Sequence, residues 1–398
     1  MRTVGLKLVL TGNYALAYAA KVARVNVVAA YPITPQTSVV EKLAEFIEEG
    51  ELDAVMIRVE SEHSALAACF GAALAGARVF TATSSQGLLY MHEVVHWASR
   101  ARAPIVMGIV TRTLGPPWNI WPDHTDYMDQ RDTGWIMSFA MDNQEAFDLT
   151  LQAFKVSEDP RVYLPVMVGI EGFILGHTSM PVEIPEQNLV DEWLGPRRQP
   201  YVVDGSEYMA IGNLALPEDT EEFFMDIQNA MEEARKVVVE VEEEYSKITG
   251  RPFKGPVECF KCEDAKYVAI SMGAWSGDLM ESVSQLRDEG YSVGLLRIRY
   301  YRPFPGDYIF EKANSTKGVL VFDRAISFGS YGPIFLDTAA SFLKHTRKTP
   351  YIKNVVAGIG GVNITSDDFS RILKRFVHEV ESDGVNVFEW YHKGKVVR

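Results

Sequence analysis

Apolar, β-rich runs alternate with helix-like segments along most of this chain, and that alternation limits the fold more than any other feature. In the first part, the predicted strands cover residues 25–31, 54–59, 78–83, 104–111, 135–141 and 162–168. Continuous apolar strands separated by helices are typical of a parallel sheet that is covered on both faces. We therefore predict an α/β, doubly wound fold.

A second alternation follows a break in the pattern. Residues 176–255 are rich in proline and then in acidic residues, and we predict a connector containing one long acidic helix over residues 218–248. Further strands are predicted at residues 267–272, 292–298, 318–322 and 354–359. The predicted organisation is a first α/β domain over 1–175, the connector over 176–255, and a second α/β domain over 256–398.

Charge and composition exclude several classes of protein. With a net charge of −14 at pH 7, the chain lacks the clustered Lys and Arg that phosphate backbones require, so we expect no nucleic-acid partner. Polar residues interrupt the first thirty positions too often for a signal sequence or a membrane span. Only Cys69, Cys259 and Cys262 are present, too few for a disulfide framework, and we expect a cytoplasmic protein without membrane attachment.

Polar side chains follow four of the predicted strands. They are Thr34, Glu62, the pair Ser85 and Gln86, and Arg112. Because the carboxyl ends of parallel strands form the usual ligand crevice, we expect these residues to converge. An arginine can clamp a carboxylate, a hydroxyl can donate to an oxygen, and a carboxyl group can exchange a proton, so the set suits a small anionic substrate.

Three of these residues, Thr34, Glu62 and Arg112, also have a purely structural interpretation. In AAYPITPQTS, Pro35 favours a helix that begins there with Thr34 at or beside its N-cap, although Ser38 and Glu41 offer a competing capping box. Glu62 can serve as an acid at a helix N-terminus. Arg112 can form an ion pair with an acidic residue of the loop that follows it, where the candidates are Asp123, Asp126, Asp129 and Asp132.

That loop is long and has little periodicity. Three tryptophans, Trp118, Trp121 and Trp135, favour a folded lid or interface loop over disorder. Asp123 and His124 could suggest a metal site, but carboxylates in such loops more often bind amides and arginines, and we predict no metal ligand on this chain.

Two short motifs match known patterns only superficially. His92 and His96 form an HExxH sequence, but we expect that helix to pack on the sheet, and no convincing third ligand follows. Cys259 and Cys262 form a lone CxxC, for which zinc or redox use stays open. GxGxxG and P-loop motifs and a cysteine series for an iron–sulfur cluster are missing, so we expect the chain to share its site with another chain.

Five segments resemble a known family: AAYPITPQTS, VESEHSALAACFGAALAGARVFTATSSQGL, NIWPDHTDYMDQRDTGW, RYYRPFP and LVFDRAISFGSYG. Together with the strand that ends before Arg112, they look like the α subunit of 2-oxoacid:ferredoxin oxidoreductases, the group that includes the pyruvate and 2-oxoisovalerate enzymes. The resemblance implies a transketolase-like pyrimidine-binding domain followed by a transketolase C-terminal-like domain. It also implies oxidative decarboxylation of a 2-oxo acid to acyl-CoA and CO₂, with electrons passing to ferredoxin.

The resemblance also implies partners, cofactors and residue roles. A β subunit would hold thiamine diphosphate with Mg²⁺, a δ-type chain would carry [4Fe-4S] clusters, a γ chain would complete the complex, and coenzyme A would be a co-substrate. Glu62 resembles the glutamate that hydrogen-bonds N1′ of the cofactor's aminopyrimidine, with Ser85 and Gln86 beside the cofactor. Thr34 and Arg112 resemble the residues that hold the substrate's carbonyl and carboxylate.

The substrate stays open between pyruvate and a bulkier branched-chain or aromatic 2-oxo acid. Many pyruvate enzymes have asparagine where this chain has Thr111, and GPPW and HEVVHW look more like the branched-chain enzymes. Thr34 stands where the related oxalate enzyme has arginine, which argues against oxalate. The alternatives are a non-catalytic scaffold subunit of such a complex and a zinc hydrolase built on His92 and His96.

Overall fold

A seven-stranded sheet forms the centre of the first part of the molecule. The computed structural model describes residues 5–117, 119–343, 349–392 and 394–397. Within them, the strands of this sheet are, in spatial order, β12 (Tyr300–Arg302), β6 (Ile136–Phe139), β7 (Val166–Glu171), β5 (Val106–Thr111), β4 (Val79–Thr83), β2 (Val27–Ala30) and β3 (Val55–Arg58). Neighbouring strands run parallel except β12, which is antiparallel to β6.

Helices cover both faces of this sheet. They are α1 (Gly12–Val22), α2 (Thr37–Glu48), α3 (Glu62–Leu74), α4 (Ser85–Tyr90), α5 (His92–Arg100), α6 (Thr125–Met128) and α7 (Asn143–Glu158). Buried side chains of α1, α2 and α7 belong to one apolar cluster, and those of α3 and α5 belong to another. Since strands and helices alternate in this way, the predicted doubly wound α/β architecture is confirmed.

A second seven-stranded sheet follows within the described residues. Its strands are, in spatial order, β16 (Lys395–Val397), β15 (Phe388–His392), β14 (Tyr351–Val356), β13 (Gly318–Asp323), β10 (Tyr267–Met272), β11 (Val293–Ile298) and β9 (Val257–Phe260). Its helices are α10 (Ser276–Asp288), α11 (Gly306–Ala313), α12 (Pro333–Leu343) and α13 (Ser366–Glu381), with a 3₁₀ turn at Ile359–Gly361. One apolar cluster contains residues of both large sheets, so the two units share a packed boundary.

The segment between the two sheets packs against the first. Strand β8 (Ser179–Ile184) pairs antiparallel with β1 (Leu6–Thr11), and α8 (Gln187–Leu194) and α9 (Pro217–Thr249) follow. The predicted acidic helix therefore exists almost at its predicted bounds. Its first half is exposed, whereas Ala234, Val238 and Tyr245 in its second half are buried in the core of the first unit. None of the described helices combines the length and the apolar character needed to cross a membrane.

Two predicted strands are displaced from their observed positions. The run 162–168 contains a turn, closed by the N–H groups of Val162 and Tyr163 on the Asp159 carbonyl, and β7 starts only at Val166. The run 354–359 extends past the end of β14, which begins earlier and includes the buried Lys353. Lys353 is neutralised by Glu389 at 2.7 Å, a pairing that a local apolar pattern does not reveal.

Buried charges connect the two units. Glu145 on α7 accepts two hydrogen bonds from Arg297 on β11, at 2.7 and 2.9 Å, and one from Arg299 at 2.6 Å. Arg299 also donates to Glu242 on α9 at 2.7 Å. Burial acts to raise the pKa of Glu145, but the adjacent Arg297 and Arg299 hold that pKa well below its usual range.

Replacing Glu145 with glutamine is expected to lower the free energy of unfolding by about 3 kcal/mol near pH 7, because two buried arginines each lose one of their charged partners, while Arg297 keeps Glu258 and Arg299 keeps Glu242. The folded-state pKa of Glu145 is depressed, so the carboxylate stabilises the fold above its ordinary value of 4.5, and this contribution is lost as pH falls further. Urea unfolding of the wild type and of Glu145→Gln at several pH values measures the difference in the free energy of unfolding. The difference should shrink below about pH 4.5; a difference independent of pH would contradict the assignment.

Candidate functional site

Loops at the carboxyl ends of β2, β4 and β5 bring four of the predicted site residues into one hydrogen-bonded group. Arg112 directly follows β5, and its Nη1 donates to the Thr34 carbonyl oxygen at 2.6 Å. Its Nη2 donates to Gln86 Oε1, which also accepts from the Ser85 hydroxyl at 2.6 Å. Arg112 is almost fully buried, so its guanidinium charge lies beneath the surface at the carboxyl end of β5. Burial lowers the pKa of Arg112, and the charge of Asp126 opposes that shift.

Glu62 lies at the end of β3, on the same edge of the sheet, and packs against Gly87 without a hydrogen bond to this group. It is the first residue of α3, whose N-cap Ser61 accepts from the Ser64 N–H at 3.2 Å, and it is only 8% exposed. A Cβ at Gly87 on α4 would come within 2.6 Å of Glu62 Oε1, so only glycine lets the two helices approach this closely. Among the described residues, no donor contacts the Glu62 carboxyl group. A buried carboxyl group without a protein donor suits a ligand that supplies one.

The turn before α2 differs from its prediction. The helix begins at Thr37 with Gln36 as its N-cap, so the prediction that it begins at Pro35 with Thr34 at or beside its N-cap is wrong. Residues 33–36 form a turn instead, which contains the cis Thr34–Pro35 peptide and is closed by the Gln36 N–H on the Ile33 carbonyl at 2.7 Å.

Asn13 holds this turn in place. Its Nδ2 donates to the Pro35 carbonyl at 2.7 Å and to Ser38 Oγ at 2.8 Å. Because the helix begins at Thr37, Ser38 lies inside it and is not its N-cap. This excludes the alternative capping box formed by Ser38 and Glu41. Sequence reasoning missed Asn13, because a lone amide on a helix that packs in the core carries no local signal.

Asp126 on α6 is a fully buried acid at this edge. Its Oδ2 accepts from the backbone N–H groups of Ser85 at 2.8 Å and Arg112 at 3.0 Å, and its Oδ1 accepts from the Tyr127 N–H at 2.8 Å. Burial raises the pKa of Asp126 to about 8, while the three N–H donors act in the opposite direction. The sequence offered Asp126 only as an ion-pair partner for the Arg112 side chain. Its contact with the Arg112 backbone was not anticipated.

The loop that carries Asp126 is folded where it is described. Trp121 is half-exposed and lies against Phe173, with ring centroids 5.4 Å apart, and Trp135 is buried and donates to the Val95 carbonyl at 2.7 Å. Trp118 lies outside the described residues. His124 Nε2 lies 3.1 Å from Glu171 Oε1, and Asp123 accepts backbone N–H groups from Thr125 and Gly360.

The two short motifs have other contacts. His92 Nδ1 lies 2.9 Å from Gln130 Oε1, and the His92 and His96 rings meet edge to face at 4.8 Å. Cys259 and Cys262, at the end of β9, form a disulfide with a Cα–Cα distance of 5.6 Å. In the part of the chain that the structure describes, these cysteines with Glu263 are the only group of three potential metal ligands that lie together, and they belong to the second large sheet, whereas Arg112 follows a strand of the first.

Two family models match most of the chain. One, described as "Pyruvate flavodoxin/ferredoxin oxidoreductase, thiamine diP-bdg", matches residues 18–243, and "Pyruvate:ferredoxin oxidoreductase core domain II" matches residues 265–369. The ketoisovalerate oxidoreductase subunit VorA of Pyrococcus horikoshii is 48% identical over 389 residues, covering 97% of this chain and 98% of the relative. The pyruvate synthase subunit PorA of Pyrococcus furiosus is 45% identical over 370 residues, covering 93% of each.

Solved structures agree on the fold. A 2-oxoglutarate:ferredoxin oxidoreductase from Magnetococcus marinus superposes with a TM-score of 0.71 at 19% identity, covering 94% of this chain and 65% of that one. A split-gene transketolase, described as an inactive β4 tetramer, superposes with a TM-score of 0.52 at 10% identity, covering 92% of this chain and 98% of that one. At these identities the likeness concerns the arrangement of strands and helices, and it agrees with the two α/β units described above.

Proposed function

We propose a function for this chain from one premise: it belongs to the pyruvate flavodoxin/ferredoxin oxidoreductase family, whose models match residues 18–243 and 265–369. It is a subunit of a thiamine diphosphate-dependent 2-oxoacid:ferredoxin oxidoreductase. The complex would convert a 2-oxo acid and coenzyme A to acyl-CoA and CO₂, and it would pass the two electrons that are released to ferredoxin. The convergence of Thr34, Glu62 and Arg112 at one sheet edge carries the proposal that this chain supplies catalytic and substrate-binding groups.

Glu62 is the proposed contact to the cofactor. Thiamine diphosphate, when bound, supplies the electron sink through which the bond between the carbonyl and the carboxylate of the substrate is broken. The Glu62 carboxyl group is buried and has no donor among the described residues, so it can accept a hydrogen bond from the cofactor's aminopyrimidine and hold a proton there. Ser85 and Gln86 directly precede Gly87, the α4 residue that packs against Glu62, and are proposed to form the adjoining wall.

Arg112 is the proposed partner of the substrate carboxylate. Its guanidinium is held at the sheet edge by the Thr34 carbonyl and the Gln86 amide oxygen, two contacts that fix its plane. A fixed guanidinium presents parallel N–H groups to a carboxylate, which is the geometry of a bidentate pair. Thr34 is exposed, and its carbonyl already contacts Arg112. We propose that its hydroxyl donates a hydrogen bond to the substrate's carbonyl oxygen.

Other subunits are proposed to supply what this chain lacks. The relatives VorA and PorA are named as subunits, and this chain spans 65% of the Magnetococcus marinus chain. We assign most of the thiamine diphosphate contacts and Mg²⁺ to a β-type subunit and the [4Fe-4S] clusters to a δ-type subunit, with a γ-type subunit completing the complex. The three cysteines of this chain, two of them in a disulfide, fit that division.

The substrate class is tested with the natively purified complex. Coenzyme A-dependent viologen reduction is measured with pyruvate, 2-oxoisovalerate, 2-oxoglutarate and phenylglyoxylate. We expect activity with pyruvate or with a branched-chain or aromatic acid, and the acid with the highest kcat/KM identifies the substrate. If an intact, cluster-loaded complex reduces viologen with none of these acids, the proposed activity is contradicted and a scaffold role takes its place.

A further inference from the structure

The carboxyl group of Asp126 connects two strand ends that carry the proposed substrate groups. One oxygen, Oδ2, accepts both the Ser85 N–H after β4 and the Arg112 N–H after β5. Since β4 and β5 are neighbours in the sheet, this one atom sets the separation of the two backbones beyond the last ladder hydrogen bond. A buried acceptor shared by two N–H groups leaves both of them unsatisfied if it is removed.

The backbone at Ser85 needs such support. Its φ is +50°, in the left-handed region that residues with a side chain seldom adopt. Besides the contact to Asp126, Ser85 Oγ lies 2.8 Å from the Thr113 carbonyl oxygen and 2.6 Å from Gln86 Oε1, two acceptors that share its one proton and tie the same turn to the segment after Arg112. Strained backbone of this kind is held by its surroundings and is common at functional sites. Here it directs Gln86 toward the Arg112 guanidinium.

The loop that carries Asp126 is held by the second α/β unit. The His124 N–H donates to the Arg324 carbonyl at 3.0 Å, and Asp123 Oδ2 accepts the Gly360 N–H at 3.0 Å. Gly361 packs directly against Trp121, because a Cβ there would come within 2.2 Å of the Trp121 Cβ. The position of Asp126 therefore depends on contacts with residues after β13 and β14.

We propose that Asp126 is a positioning residue for the 2-oxo acid site, which holds Arg112 and the Ser85–Gln86 turn in register from a loop anchored on the second α/β unit. This inference rests on the proposed function. It gives the second unit a role in substrate binding without any contact to the substrate. Asp126 acts through the backbones of its two neighbours and touches no reacting atom.

The test is the Asp126→Asn variant in the natively purified complex. Its amide keeps one acceptor oxygen for three N–H donors, so the NH₂ group would face either the N–H of Tyr127 or those of Ser85 and Arg112, and the carboxamide must tilt away from this donor. We expect KM for the 2-oxo acid to rise about tenfold, as for the loss of one buried hydrogen bond, with kcat and KM for coenzyme A unchanged. Amide hydrogen exchange should become faster in residues 84–91 and 111–117. The matched control Asp129→Asn, an exposed aspartate of the same loop, should leave both readouts unchanged.

Asp123→Asn provides a second test in case the Asp126→Asn complex does not assemble. Asp123→Asn weakens the anchor to Gly360 and should raise the same KM by a smaller factor, with faster exchange in the same segments. The proposal is overturned if both variants keep wild-type KM and exchange, or if kcat and every KM change together. Hydrogen exchange does not depend on turnover, so an inactive wild-type complex would contradict the proposed function while the role of Asp126 is still measured.

Discussion

Glu62→Gln is expected to lower kcat for coenzyme A-dependent viologen reduction by about 10³-fold, the range of a lost general acid–base group. Glutamine has nearly the same shape, so the close packing against Gly87 is kept. The amide, however, cannot hold a proton at the cofactor as a carboxyl group does. Because Glu62 is not proposed to touch the 2-oxo acid, KM for the acid should change little. Steady-state kinetics of the purified complex measure both constants.

The exposed Glu48 at the end of α2 provides the control, since Glu48→Gln makes the same chemical change away from the sheet edge. It should retain wild-type turnover. If Glu62 only stabilises the N-terminus of α3, its replacement would cost about 0.3–1 kcal/mol of stability and leave kcat intact. Full turnover of an assembled Glu62→Gln complex would therefore assign Glu62 to that structural role.

Arg112→Ala is expected to lower kcat/KM for the 2-oxo acid by about 10³-fold, since truncating one partner of a buried charge pair costs roughly 2–5 kcal/mol. The variant also removes the donor to the Thr34 carbonyl and to Gln86, so the two loops lose their link. The effect should appear mainly in KM for the 2-oxo acid, with KM for coenzyme A unchanged. Initial rates over a wide range of acid concentrations separate the two constants.

Arg112→Lys keeps the charge but cannot form two parallel hydrogen bonds, so its kcat/KM should fall between those of the wild type and Arg112→Ala. Arg198→Lys, at an exposed position before α9, is the matched control and should behave as wild type. An Arg112→Ala complex that binds the 2-oxo acid as tightly as the wild type would place the substrate carboxylate on another residue.

The sequence predicts those strands and helices whose position is decided by the local pattern of apolar residues. Strands β2 to β5 are short apolar runs that end in polar residues, and a parallel sheet brings such ends to one edge. This logic placed Thr34, Glu62, Ser85, Gln86 and Arg112 together, and the structure brings them into contact or near contact. Their roles stay predictions until the variants are measured.

Long-range pairing could not be predicted in the same way. Strand β1 has Leu6 and Val9 exposed, so its pattern does not indicate a buried strand, and only pairing with β8 defines it. Strand β12 follows β11 closely in sequence yet completes the first sheet beside β6. Nothing in a local window indicates which sheet such a short segment joins.

Asp126 was underestimated for a related reason. It lies in an aperiodic loop, and the hydrogen bonds that define its role reach Ser85 and Arg112, 41 and 14 residues away. An acidic residue in a loop is usually solvated or paired with a cation, so its complete burial was not expected. The helix start at Thr37 was missed similarly, because contacts from Asn13 and Gln36 decide that turn.

This chain is proposed to supply groups that act on the bond between the carbonyl and the carboxylate of a 2-oxo acid. Exchange of labelled CO₂ into the substrate carboxylate, measured in the native complex with coenzyme A and no external acceptor, isolates that step from later electron transfer. We expect exchange in the wild type and in Glu48→Gln, and its loss in an intact Glu62→Gln complex. Exchange at the wild-type rate in Glu62→Gln would contradict this proposal.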